Sequence, residues 1–522
     1  MASGSVSATD QPASPASGES SSEATRQHLR GSSLLFAGRL LSLAINFATQ
    51  VLIVRYLSKT DFGVFAYGLS IVTMGQAIAV LGLNYSVSRF LPIYDEKGER
   101  DKVLGALVLS FATVLCLGLA FIVATYGLRN VLAGSVSDSD TAVAVLLIMV
   151  LLAPIQALDD LILGAFAVFS KPRAIFFRKH VMAPLLRLAT IIAVISTSTD
   201  VRALAGGYVG AGALGVAIFG FLLVRTLREQ GILERGRSMA MSFPARELFA
   251  FAIPLLAVDA LHVVMNTSNI IMLGHFGDAQ EVAAYRAVLP AAHLNLLVMT
   301  SFTLLFTPIA ARLFAREDRQ GIADLYWSTA VWIAIFTFPV FALTFSQAES
   351  LTTTLFGDRY ASSATIMALL SLGYYFSAAL GFNGLTLRVF GLVRYTVMIA
   401  VAATVANVAF NLALIPAYGA LGAGIGTCAT FIVHNLFKQA GLRRGTGISI
   451  FDRRHVRVYA VLLGAVLALF AFDRLLGPGF AVSVVAVLAV WLGILALTRR
   501  SLRIGATFPE LLRVPLLRRF VS

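Results

Sequence analysis

Five basic residues stand inside long apolar runs of the 522-residue chain: Arg39, Arg178, Lys179, Arg187 and Arg286. A cation surrounded by hydrocarbon is costly, so it is expected to face a bundle interior or a watery path, where it can hold an anion such as a phosphate. Arg39 lies about eight residues, roughly 12 Å, inside its apolar run, too deep to reach water easily by snorkelling. Arg178 and Lys179 stand only about a turn inside theirs, where basic side chains commonly snorkel to headgroups. Arg187 follows Arg178 by nine residues, which is a turn of roughly 180° on a helix, so the two do not both point straight into one cavity.

The acids are fewer. Asp259 sits at a depth similar to that of Arg39, beside His262 and Asn266. A buried carboxylate with a nearby imidazole can couple to protons, and it can equally form a static ion pair with Arg39. Asp159 and Asp160 interrupt the fourth apolar run and can neutralise the cations of the fifth or take part in coupling. Arg286, His293 and Asn295 make the eighth run polar along part of its length, as a cavity lining does. Cys116 and Cys428 lie in apolar runs with no metal-ligand spacing around them, so neither a disulfide nor a metal or other cofactor is expected.

The elements that must position these residues are membrane spans. With 58% hydrophobic and 13% charged residues, the chain departs from the roughly 45 to 50% apolar and 25% charged composition of soluble domains. The expected fold class is an all-α integral membrane protein. Counting apolar runs gives fourteen spans, near 32–54, 64–90, 103–128, 141–169, 174–196, 203–224, 247–273, 282–311, 324–346, 361–387, 395–415, 419–437, 458–473 and 479–498. The net charge of +14 does not point to nucleic acid, because the cations fall in short runs between spans. With the N-terminus cytoplasmic, the inner segments hold thirty Lys and Arg and the outer segments six. That asymmetry predicts both termini on the cytoplasmic side of the cell membrane.

The chain also repeats itself. Tyr56-Leu57-Ser58-Lys59-Thr60-Asp61-Phe62-Gly63-Val64-Phe65 returns as Phe276-Gly277-Asp278-Ala279-Gln280-Glu281-Val282-Ala283-Ala284-Tyr285, 220 residues later and without a gap. The same shift places Asn46 over Asn266 and Arg39 over Asp259, opposite charges at equivalent depth. Phe90-Leu91-Pro92-Ile93 is echoed by Phe306-Thr307-Pro308-Ile309. Since six helices are an even number, the second copy enters the membrane in the same direction as the first. The copies are then related by a pseudo-two-fold along the membrane normal, with a cavity between them.

The expected organisation is a disordered cytoplasmic tail over 1–30, an N-lobe over 31–224, a basic linker over 225–246, a C-lobe over 247–445, two further helices over 446–498 and a basic tail over 499–522. That last segment mixes Arg with Leu, Val and Phe, as suits contact with anionic membrane lipids.

Three stretches carry a family resemblance: 56–65 quoted above, Leu355-Phe356-Gly357-Asp358-Arg359-Tyr360, and Asn407 through Leu414-Ile415-Pro416-Ala417-Tyr418-Gly419-Ala420-Leu421-Gly422-Ala423-Gly424. On them the sequence resembles the Wzx-like polysaccharide transporters, the O-antigen and teichoic-acid flippases of the multidrug/oligosaccharidyl-lipid/polysaccharide exporter superfamily. The resemblance implies a V-shaped pair of six-helix lobes that moves polyprenyl-diphosphate-linked saccharide across the inner membrane by alternating access. It implies a lipid-linked glycan as substrate, polysaccharide polymerase or ligase proteins as partners, and no enzymatic activity. The related lipid II flippases line their cavity with several arginines on the first helices, where this chain has only Arg39.

Within that frame Arg39, Arg178, Arg187 and Arg286 are the candidate substrate ligands, and Asp259, His262, Asp159 and Asp160 the candidates for coupling or ion pairing. Two alternatives share parts of the pattern. A drug/cation antiporter has the same architecture but would favour acids over cations in its cavity. A membrane glycosyltransferase or polysaccharide polymerase handles the same lipids but needs a sizeable aqueous loop with clustered acids and bases.

Overall fold

The computed structural model describes residues 38–134, 140–169, 172–197, 200–233, 241–477 and 479–502. The tail over 1–30, most of the basic tail over 499–522 and the middle of the linker over 225–246 lie outside the described residues. Among the described residues twelve helices are long and apolar enough to cross a membrane. One of these, Val393–Thr446, is two helices: at Gly419 the backbone leaves the helix (φ 53°, ψ −133°). Its halves run back along each other, since Asn407 Nδ2 donates to Thr430 Oγ1 at 3.3 Å and the Tyr395 hydroxyl to the Phe437 carbonyl at 3.2 Å. With the helix over residues 38–56, which precedes them all, the described residues hold fourteen long helices.

We label them in order: α1 (38–56), α2 (Lys59–Glu96), α3 (Arg100–Gly127), α4 (Asp140–Val168), α5 (Arg173–Thr197), α6 (Val201–Glu229), α7 (Ala245–Phe276), α8 (Ala279–Thr303), α9 (Arg319–Phe345), α10 (Asp358–Val389), α11 (393–418), α12 (420–446), α13 (Arg453–Leu476) and α14 (Phe480–Leu502). Helices α1–α6 and α7–α12 form two lobes related by a pseudo-two-fold, and α13 and α14 pack against α9 of the second lobe.

The repeated hairpin has a local physical cause. Ser58 caps α2 by accepting from the Asp61 amide at 3.0 Å, and Asp278, its counterpart after the shift of 220, caps α8 by accepting from the Glu281 amide at 2.9 Å. In each copy a cap residue is followed three positions on by an acid, which satisfies the free amides of a helix start and favours the helix dipole.

The two helix starts then meet. A Cβ at Gly63 would stand 1.7 Å from the carbonyl oxygen of Ala279, so only glycine permits this approach of α2 to α8. Around that contact Ile53, Phe62, Phe65, Val282, Tyr285, Phe356, Ile415 and Ala420 belong to one buried cluster that draws on both lobes. Arg55 donates to the Thr354 carbonyl at 2.8 Å, while Arg359 donates to the carbonyls of Val54 and, at 2.7 Å, of Arg55. Each guanidinium thus satisfies carbonyls at a helix end of the other lobe, where helices leave acceptors unpaired. The hairpin end of the molecule is sealed.

Several helices depart from regularity, which apolar run length does not reveal. In α2 the backbone turns left-handed at Leu81 and Gly82 (φ 49° and 71°). In α5 residues Phe176–Met182 are π-helical. In α8 a 3₁₀ turn over Leu294–Leu296 follows Pro290, whose missing amide breaks the α-helical ladder.

Candidate functional site

Between the lobes, below the sealed end, lies a cavity of about 790 Å³. Three arginines line it: Arg39 from α1, Arg187 from α5 and Arg286 from α8. Among the described residues no Asp or Glu lines it. Among the described residues none of the three guanidinium groups has a carboxylate within ion-pair distance, although five acidic side chains form such pairs elsewhere. An unpaired cation in a membrane interior is stable only where water or an anion reaches it. The remaining polar wall is neutral, with Asn46, Gln50, Gln156, Asn266 and Thr73 at the surface of the cavity. Gln50 Nε2 is buried there without an acceptor.

Asn46 and Asn266, equated by the internal repeat, both face this cavity, one from each lobe. On α1 the lining residues 39, 42, 43, 46 and 50 recur at the three- and four-residue spacing of one helix face. His293 lies edge-on to Tyr374 with ring centroids 5.0 Å apart, and both reach the cavity. Arg286 and His293 therefore stand on one wall two turns apart, with Pro290 between them.

The other candidates go elsewhere. Arg178, 5% exposed, is held by Asp159 at 2.8 Å and stacks 5.7 Å from the Phe219 ring. That ion pair lies inside the first lobe, beside a small side pocket that Arg187 also lines. Asp160 accepts from Gln76 Nε2 at 2.7 Å. Asp259 accepts from the Tyr85 hydroxyl at 3.1 Å and is not paired with Arg39. His262 is exposed on α7 and, like Asp259, is absent from the cavity lining. Lys179 is exposed. Among the polar lining residues that the sequence did not single out, Ser42 and Gln50 had a signal in their helical spacing from Arg39, while Thr73, Gln156 and Tyr208 had none.

The family described as polysaccharide biosynthesis protein matches residues 28–314, more than half of the chain and all of the first lobe. The chain belongs to the polysaccharide biosynthesis protein family. This family member is similar to an uncharacterized membrane protein of Methanocaldococcus jannaschii, 20% identical over 429 residues, which cover 78% of this chain and 83% of that protein.

Its fold is shared with solved transporters. The lipid II flippase MurJ in an inward-closed conformation superposes with a TM-score of 0.69 over 91% of this chain and 99% of MurJ, at 14% identity. An inward-facing multidrug resistance MATE family transporter of the MOP superfamily gives 0.62 over 78% and 95%, at 14% identity. A MOP superfamily transporter from Pyrococcus furiosus, noted for the reverse polarity of its binding pocket, gives 0.53 over 81% and 96%, also at 14% identity. The two-lobe fold of the MOP superfamily is therefore the fold of this multi-pass membrane protein.

Proposed function

We propose that this protein is a flippase that carries a polyprenyl-diphosphate-linked oligosaccharide across the cell membrane by alternating access, for surface polysaccharide biosynthesis. The carrying observation is a cavity between two lobes that is lined, among the described residues, by three arginines and no carboxylate. A diphosphate crossing hydrocarbon needs compensating cations, and guanidinium offers paired, fork-shaped donors to phosphate oxygens. Arg39, Arg187 and Arg286 hold the diphosphate, while the carboxamides of Asn46, Gln50, Gln156 and Asn266 meet the hydroxyls of the glycan.

Both termini are cytoplasmic, as the thirty inner against six outer cations favour. The sealed hairpin end then faces outward, and the cavity awaits its cargo from the cytoplasmic leaflet. The lobes span 31–224 and 247–445, joined by the linker over 225–246. Asp159 serves Arg178 as a structural partner, and Asp160 and Asp259, outside the cavity, are the acids left for ion coupling. Polymerase or ligase proteins receive the exported glycan.

The test is made in cells that rely on this gene. With Arg39→Ala at normal protein level, undecorated lipid-linked glycan accumulates facing the cytoplasm, and Arg39→Lys gives a milder defect because it keeps charge but loses the fork. Export at the wild-type rate in Arg39→Ala contradicts Arg39 as a ligand, and unchanged surface glycans after gene deletion contradict the flippase reading.

A further inference from the structure

The π-helical segment Phe176–Met182 of α5 is pressed against α1 on the two positions that flank Arg39. π-Helix accounts for well under 1% of residues, and it persists mostly as short segments held by their neighbours at functional sites. On one flank, a Cβ at Gly38 would lie 2.7 Å from the Phe176 ring and 3.0 Å from the His180 Cβ, so α1 can approach this closely only with glycine there. On the other, the Ser42 hydroxyl stands 3.1 Å from His180 Nδ1 in a buried contact, and 3.0 Å from the carbonyl oxygen of Arg39.

A hydroxyl has a single proton. Ser42 donates it to the Arg39 carbonyl, so the second bond runs from Nδ1–H of His180 to the Ser42 oxygen. Gly38 and Ser42, four apart, lie on the face of α1 that meets α5, and Arg39, one residue from Gly38, is turned about 100° from it toward the cavity. The rotation of α1 about its own axis is thereby fixed from both sides of Arg39. A binding group has to be held within about 0.5 Å of its productive place, and a long side chain magnifies any roll of its helix.

We infer that His180 is a positioning residue for anion binding: through Ser42 it sets the direction in which Arg39 presents its guanidinium to a phosphate in the cavity. The inference rests on the anion-carrying reading of the cavity given above. It assigns a role to the π-helical segment, because a regular helix would shift the ring away from Ser42 or lose the packing of Phe176 on Gly38.

The experiment is calorimetric titration of inorganic pyrophosphate into the full-length protein in lipid nanodiscs, with the thermal transition of each variant recorded alongside. His180→Ala and Ser42→Ala each weaken pyrophosphate binding about five- to tenfold, the fold-change of one lost neutral hydrogen bond. His180→Asn, whose carboxamide nitrogen replaces Nδ1–H, recovers most of that loss. On an Arg39→Ala background His180→Ala causes no further loss beyond about twofold, because coupled residues do not add. Ser42→Ala keeps the imidazole and the packing in place, so it carries the test if His180→Ala fails to fold.

A loss from His180→Ala that adds in full to that of Arg39→Ala overturns the positioning role, as does unchanged binding in folded His180→Ala or Ser42→Ala, or no recovery in His180→Asn. Arg39→Ala that binds pyrophosphate as well as wild type, or a wild type that binds none, overturns the reading of the cavity itself and the role of His180 with it.

Discussion

The two lobes share an architecture and differ in the chemistry of their interiors. In the first lobe the polar interior includes charged groups: Arg178 with Asp159 at 2.8 Å, and Asp160 held by Gln76 at 2.7 Å. In the second the most extended polar network is neutral. Asn269 donates to the Tyr285 hydroxyl at 2.8 Å and to Thr427 Oγ1 at 2.9 Å, Asn411 donates to Asn269 and, at 3.1 Å, to Asn407, and Asn407 reaches Thr430. That network ties α7, α8, α11 and α12 together without a formal charge.

The difference bears on the cavity between them. An acid in either wall would offset a cavity arginine, and among the described residues both lobes keep their carboxylates out of it, the first by spending Asp159 on Arg178 and the second by using carboxamides. The net positive field of the cavity is thus built by what its walls omit as well as by Arg39, Arg187 and Arg286.

The comparison breaks most visibly at Asp159. Asp159→Ala leaves Arg178 buried without a counter-charge, at a cost of about 3 to 5 kcal/mol, whereas the double replacement by leucine at 159 and 178 is close to neutral. Unfolding of the purified protein measures this; equal stability of single and double variants contradicts the ion pair as a structural element. A smaller effect is expected from the neutral lobe. Asn411→Ala removes one node of the network and costs about 1 kcal/mol, the scale of hydrogen bonds between membrane helices. A loss as large as that of Asp159→Ala would mean that the two interiors do not differ as described.

Much of this was legible in the sequence. Spans follow from the length of apolar runs, and each of the fourteen expected ones overlaps one of the fourteen long helices among the described residues. The repeated hairpin was legible because its cap residues recur. Arg39, Arg187 and Arg286 stood out because charge is rare in a span, and the structure brings these three to one cavity. The facing of Arg39 by Asp259 was the natural expectation from the repeat, yet Asp259 turns to Tyr85 on α2. Asn46 and Asn266 show that the register of the repeat holds two turns away. Between Asp259 and its helix start stands Pro254, within α7, where the first copy has Leu34. A proline inside a helix removes a hydrogen bond and bends the axis, so equal depth does not give equal direction. The π-helical segment was not legible, because it depends on what α5 packs against and not on the composition of Phe176–Met182.

The most direct test of a cationic cavity as the route of a lipid diphosphate is made in proteoliposomes. A fluorescent polyprenyl-diphosphate saccharide is incorporated with the purified protein, and its arrival in the outer leaflet is followed by quenching with an impermeant reductant. The account predicts transfer by the wild type, and its loss to the protein-free rate when Arg39, Arg187 and Arg286 are all replaced by glutamine in a protein that still folds. Transfer by that triple variant at the wild-type rate would contradict it.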